Sequence, residues 1–201
     1  MKNKKITRKI TQGMYVLTTS GGGCVVDAVS QISAGGNPLV AVAVMKSNYT
    51  NELLHTNDTF ALSVLGMDID GDIIKTFGLN SMRDIDKFEN IPTNEVMGVK
   101  VIDSSLGYMV FQKEDTIEND THTLFIGKMV EGDVYKDGEA MSYGYYQEHK
   151  DELVKVKTEK GKVAWVCKVC GYVHYSDELE PDFKCPMCGV GREMFERKTI
   201  D

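Results

Sequence analysis

Along roughly the first three quarters of the chain the apolar positions fall in short runs, rich in Val, Ile, Tyr and Thr and bounded by Gly, Asn, Asp or Pro. Such runs fit a pleated, half-buried surface. Residues 14–19, 24–33, 38–45, 59–65, 99–102, 108–117, 123–130 and 141–146 are therefore expected as β-strands. Two short helices are expected as well, 50–56 opened by Thr50 as N-cap and 69–77 ended by Gly78. Many strands and few helices imply a barrel or sandwich, so the fold class is mainly β, a β-barrel with short helical insertions. Gly21-Gly-Gly23 reads as a hairpin turn, because Val26 stands where G-x-G-x-x-G needs its third glycine and no βαβ pattern surrounds it. Cys24 follows on an apolar strand and reads as a small buried hydrophobe.

The pattern changes near residue 150. Residues 148–162 are dense in charge and poor in aromatics, the composition of a surface linker. The expected organisation is residues 1–150 as the barrel, 151–162 as a charged linker and 163–201 as a small second module. With 201 residues, 42% of them hydrophobic, the chain is long enough for one good core and such a module. A net charge of -7 argues against nucleic acid as the main partner. Lys2, Lys4, Lys5, Arg8 and Lys9 make the N-terminus basic, but the apolar run from Met14 to Leu17 is too short for a signal-peptide core. No apolar run approaches the ~20 residues of a membrane span. A reducing cytoplasm is the expected location.

Chemistry concentrates in the second module. Trp165-Val-Cys-Lys-Val-Cys-Gly-Tyr172 and Phe183-Lys-Cys-Pro-Met-Cys-Gly189 hold two C-x-x-C pairs, Cys167/Cys170 and Cys185/Cys188, each followed by glycine. Two thiolates three positions apart on a tight turn can bite one ion, and the glycine lets backbone N–H groups fold toward the sulfurs. Four such sulfurs make a tetrahedral site that selects iron or zinc, and ligand type does not separate the two. The acidic loop Asp177-Glu-Leu-Glu-Pro-Asp182 between the knuckles reads as solvated, with docking of a redox partner as the alternative.

The order aromatic-x-C-x-x-C-G-Y followed by C-P-x-C-G resembles rubredoxin over residues 163–198. With 14 residues between the knuckles, it is most similar to the rubredoxin-type tail of rubrerythrins. The resemblance implies one iron held by Cys167, Cys170, Cys185 and Cys188; zinc is the alternative.

A second resemblance covers residues 6–146. Gly13-Met-Tyr-Val-Leu-Thr-Thr19, Val26-Asp-Ala-Val-Ser-Gln-Ile-Ser33, the strand ending at Met45, Tyr49-Thr50, the run from Phe60 to Leu65, Ser81-Met-Arg-Asp-Ile-Asp-Lys-Phe88 and His122-Thr-Leu-Phe-Ile-Gly127 follow in order the blocks of the flavin reductase-like FMN-binding split barrel. That resemblance implies a homodimer with FMN at its interface. It implies further that Ala28, Val29, Ser30 and Gln31 run along the isoalloxazine ring, and that Lys46, Ser47, Asn48, Tyr49 and Thr50 form the phosphate side. A cation, hydroxyls and an amide ahead of a helix N-terminus suit an anion. Arg83 would reach the phosphate or ribityl chain, or else pair with Asp84 or Asp86. His122 lies in a block near the flavin, and no residue is assigned as catalytic.

The fusion of the two modules resembles the high-molecular-weight rubredoxins. It implies a relay from NAD(P)H through FMN to the iron and on to an external acceptor, an A-type flavoprotein of the flavodiiron class that reduces nitric oxide or dioxygen. The alternatives are a plain flavin reductase releasing reduced flavin and a zinc-bearing docking module.

Overall fold

The computed structural model describes residues 4–154, 163–169, 172–185 and 189–198. Its chain divides into two units, Met1–His149 and Lys150–Asp201.

In the first unit the strands are β1 (Tyr15–Thr19), β2 (Gly22–Val26), β3 (Val29–Gln31), β4 (Leu39–Met45), β5 (Thr59–Val64), β6 (Thr93–Val96), β7 (Val99–Ile102), β8 (Gly107–Glu118) and β9 (His122–Val134). Seven of them form one antiparallel sheet in the order β2-β1-β5-β8-β9-β4-β3, while β6 and β7 pair separately. The sheet curls far enough for β2 to approach β4, which is the open barrel expected from the strand-rich pattern. Its interior is filled by Leu17, Val42, Leu62, Phe60, Phe111 and Phe125, all inaccessible to solvent. Phe60 stacks on Phe111 with ring centroids 5.1 Å apart. Burial of each such side chain contributes about 1.5–3 kcal/mol.

The glycine run closes the β1–β2 hairpin as expected. Thr19 faces Gly22 across a two-residue turn, and Gly21 has φ of 83°, the sign such a turn needs. Gly22 and Gly23 serve packing: a Cβ on Gly22 would lie 2.7 Å from Leu53 Cδ1, and one on Gly23 would lie 2.7 Å from the Leu17 carbonyl oxygen.

Three local expectations are corrected. The strand expected over 24–33 is two strands, β2 and β3, on opposite edges of the sheet; the chain crosses at Asp27–Ala28, where the Ala28 carbonyl accepts a bond from Ala43 N–H at 3.0 Å. The strand expected over 141–146 is only a bridge between Gly13 and Ser142, after which helix α3 (Tyr143–Leu153) begins, with Ser142 Oγ accepting from Tyr145 N–H. Helix α3 therefore takes in the start of the charged stretch 151–162, whose residues 155–162 lie outside the described ones. The third concerns caps. Helix α1 (Tyr49–Thr56) is capped by Asn48 and not by Thr50, and α2 (Gly71–Leu79) is capped by Asp70 and runs through Gly78. The strand expected over 99–102 is β7, but its hairpin partner β6 was not expected; the hairpin turns at Met97 and Gly98, both with positive φ.

In the second unit β10 (Ala164–Cys167), β11 (Val173–Tyr175) and β12 (Phe195–Lys198) form a three-stranded antiparallel sheet ordered β11-β10-β12. Cys167, Leu179, Cys185 and Phe195 make its small core, with Trp165, Tyr172 and Phe183 packed around them. Among the described residues no helix is long and apolar enough to cross a membrane.

Candidate functional site

Strands β3 and β4 build a low shelf on the outer face of the curled sheet. Ser30 lies opposite Ala41, and Ala28 is tied to Ala43, so by alternation all four side chains share one face. The opposite face of β4 carries Val40, Val42 and Val44 into the core. A surface of alanine and serine presents little relief, so a flat ring system can lie close to the backbone. Leu124 and His122 on β9 continue the face, opposite Ala43 and Met45. Of the four residues expected along the ring, Val29 packs against the core instead of the shelf, while Ser30 and Gln31 are exposed; Gln31 Nε2 donates to the Ser33 carbonyl at 2.9 Å.

At the end of β4 the chain turns through Lys46 and Ser47 into α1. Asn48 Oδ1 accepts from Thr50 N–H at 3.0 Å, satisfying one of the unpaired donors of the first turn. Thr50 is buried and points inward, where its hydroxyl meets the buried Cys24 thiol. Burial pushes that thiol above its ordinary range, as suits a packed, unreactive cysteine. Asn51 fixes the helix to the strand through Nδ2, which donates to the Val44 carbonyl at 3.0 Å.

The two cations of this end are both paired. Lys46 Nζ lies 2.7 Å from Glu118 Oε2, and this bond holds the Glu118 carboxyl below the usual carboxylate range. His55 Nε2 is 3.5 Å from the other oxygen of Glu118, and Thr123 Oγ1 donates to the same carboxylate. Arg83 stacks over the Tyr49 ring, 4.6 Å from its centroid, and pairs with Glu52. Its ion-pair partner is thus Glu52, and neither of the sequence neighbours Asp84 and Asp86. Glu52 and Glu118 were not singled out in the sequence, since no local spacing connects them to residues 31 and 72 positions away. On the neighbouring edge, burial raises the Asp27 carboxyl while the nearby His122 lowers it.

The second unit holds two matching turns. Cys167 N–H donates to the Tyr172 carbonyl at 2.8 Å, and Cys185 N–H donates to the Val190 carbonyl at 2.8 Å. Each turn thus closes five residues after its cysteine, with Gly189 at φ 70° in the second. Both cysteines are buried, at 0% and 2% exposure, which removes them from competing water. Cys170 and Cys188, the second members of the pairs, lie outside the described residues. Cys167 and Cys185 share one buried cluster and each heads a segment closed by the same kind of N–H-to-carbonyl bond, which is compatible with a shared metal ion.

The family model described as flavin reductase-like domain matches residues 7–153, and that described as rubrerythrin, rubredoxin-like domain matches residues 165–196. The chain is 30% identical to the high molecular weight rubredoxin of Moorella thermoacetica, over 96% of this chain and 98% of that protein. It is 29% identical to the ferric-chelate reductase (NAD(P)H) of Archaeoglobus fulgidus, over 69% of this chain and 85% of that one. Among solved structures, the NADH:FAD oxidoreductase SgcE6 of Streptomyces globisporus superposes with a TM-score of 0.63 at 21% identity, covering 69% of this chain and 84% of that one. The chain thus belongs to the flavin reductase-like family of oxidoreductases, with a rubredoxin-like domain joined to its C-terminal side.

Proposed function

We propose that the chain passes electrons from NAD(P)H through FMN in the first unit to an iron in the second, and on to a protein acceptor. Flavin takes up the electron pair of a hydride and can release it singly, which is what a four-thiolate iron requires. The observation that carries the reading is the union, in one chain, of the β3–β4 shelf with the matched turns at Cys167 and Cys185.

The residues divide the work. Ala28 and Ser30 leave room for a planar ring, and the backbone of β3, an edge strand, offers its outward polar groups to the ring's polar edge. Lys46, Ser47, Asn48 and Tyr49 face the phosphate from the start of α1, whose N-terminal dipole favours an anion. Thr50, turned inward, supports that end without facing it. Arg83 reaches the same end from the loop after α2. Gln31 lies at the rim of the shelf, and the Val29 side chain anchors the strand beneath. Cys167, Cys170, Cys185 and Cys188 hold the iron. A homodimer would cover the apolar outer face, where Ile117 is 45% exposed beside Leu124. A reducing cytoplasm keeps the thiols available to metal, and a flavodiiron protein is the proposed acceptor.

Metal analysis and anaerobic titration test the proposal. The purified protein, supplied with FMN and given NADH and then NADPH, should lose flavin absorbance and bleach its iron absorbance in that order. A zinc-loaded tail, or a flavin that is reduced while the iron stays oxidised, defeats the relay. If the chain lacking residues 163–201 reduces the physiological acceptor at the full rate, the activity is that of a plain flavin reductase.

A further inference from the structure

The two cations at the head of α1 have partners before any ligand arrives. We infer that Glu118 and Glu52 set the affinity of the site for phosphorylated flavin: each holds a cation that the phosphate needs, so the flavin is exchanged instead of retained. The inference rests on reading this end as the phosphate side.

Lys46 is bonded to Glu118 at 2.7 Å and Arg83 to Glu52, so the four side-chain charges sum to zero before a phosphate arrives. It carries about -1.5 to -2 charges, and to win either cation it must displace a carboxylate or sit beside one. Glu118 is no idle surface charge, because Lys46, His55 and Thr123 all fix it. Arg83 is likewise held in place, by the ring of Tyr49 on the first residue of the helix. The side chains are about half exposed, between 41% and 54%, so partners can be swapped without opening the core. What remains for the phosphate without exchange is the uncharged groups of Ser47, Asn48 and Tyr49 and the N-terminal dipole of α1, whose effect is small at a solvated surface. Isoalloxazine binding on the shelf does not involve these pairs, so the two parts of the flavin separate experimentally.

The test compares FMN with riboflavin, which lacks the phosphate, by flavin-fluorescence titration of the full-length protein and of the variants Glu118→Gln and Glu52→Gln. Each variant keeps the shape of the side chain and frees one cation. FMN should bind about tenfold more tightly to each variant than to the parent, from loss of one competitor and one repulsive charge, while riboflavin affinity stays within about twofold. In gel filtration, the variants should retain FMN that the parent loses. The inference is overturned if FMN affinity is unchanged in both variants, or if riboflavin tightens in parallel. Absence of flavin binding by the parent and both variants overturns the flavin reading itself, and this inference with it.

Discussion

Replacement of Lys87 by methionine should destabilise the first unit by about 2–3 kcal/mol, because of where its ammonium sits. Lys87 is 3% exposed, and Nζ donates to the Gly23 carbonyl at 2.9 Å and to the Phe77 carbonyl at 3.1 Å. Phe77 is in the last turn of α2, where carbonyls have no donor within the helix. Gly23 is on an edge strand, which turns alternate carbonyls away from its only partner. Methionine fills similar volume but leaves both acceptors unsatisfied, at about 1–3 kcal/mol each. Removing a buried cation returns part of that. For a unit of this size the loss corresponds to a fall in Tm of about 4–12 °C, read by far-ultraviolet circular dichroism. Fluorescence is not the probe, since the single tryptophan, Trp165, belongs to the second unit. The pH dependence gives an independent sign. Burial lowers the Lys87 pKa from the ordinary 10.5, so in the alkaline window below 10.5 the unfolded chain binds more protons than the folded one. Stability of the parent relative to Lys87→Met should therefore rise as pH increases toward 10.5 and diminish as pH falls through the folded value. A variant that melts at or above the parent temperature would refute the reasoning, by showing that desolvation of the ammonium outweighs its two bonds.

Other substitutions address separate parts of the structure. Gly127→Ala places a Cβ 2.5 Å from Phe60 Cζ and 2.7 Å from Phe111 Cβ, within the stacked pair, and should cost about 1–3 kcal/mol by urea denaturation; an unchanged midpoint would mean that the core yields. Asn48→Ala removes the cap of α1 and should cost about 1 kcal/mol in the same assay. It should also weaken FMN more than riboflavin if the phosphate lies there. Cys167→Ser and Cys185→Ser should each abolish stoichiometric metal, measured by elemental mass spectrometry after desalting, and leave the circular dichroism melt of the first unit in place; retention of full metal by either variant would remove that cysteine from the ligand set.

The sequence made the barrel's strands legible wherever β-rich runs ended at a turn residue, as at Thr19–Gly22 and around β4 and β5. It concealed the break at Asp27–Ala28, because the residues from Cys24 to Gln31 are continuously strand-like and the break exists only to carry the chain between sheet edges. Helix α3 was hidden for a different reason: Tyr146 is its only buried residue among those described, so no apolar stripe marks the helical period. The closures headed by Cys167 and Cys185 fall where the C-x-x-C-G spacing puts them, since that pattern is local. At the α1 end the cations could be read but not their state. Lys46 meets Glu118 through the pairing of β9 with both β4 and β8, and Arg83 meets Glu52 through the loop after α2; both are products of tertiary structure.

The bare glycines of β2 have an effect on how the molecule behaves among its copies. Unclothed backbone along a sheet margin is a template for another chain, yet here Leu53, Met82 and Phe77 roof it and Lys87 occupies an outward carbonyl. The opposite margin is the three-residue β3, the rim of the shelf. Whatever rests on that rim also covers the second edge of the seven-stranded sheet, so occupancy and protection of that edge from a guest strand are coupled by the architecture.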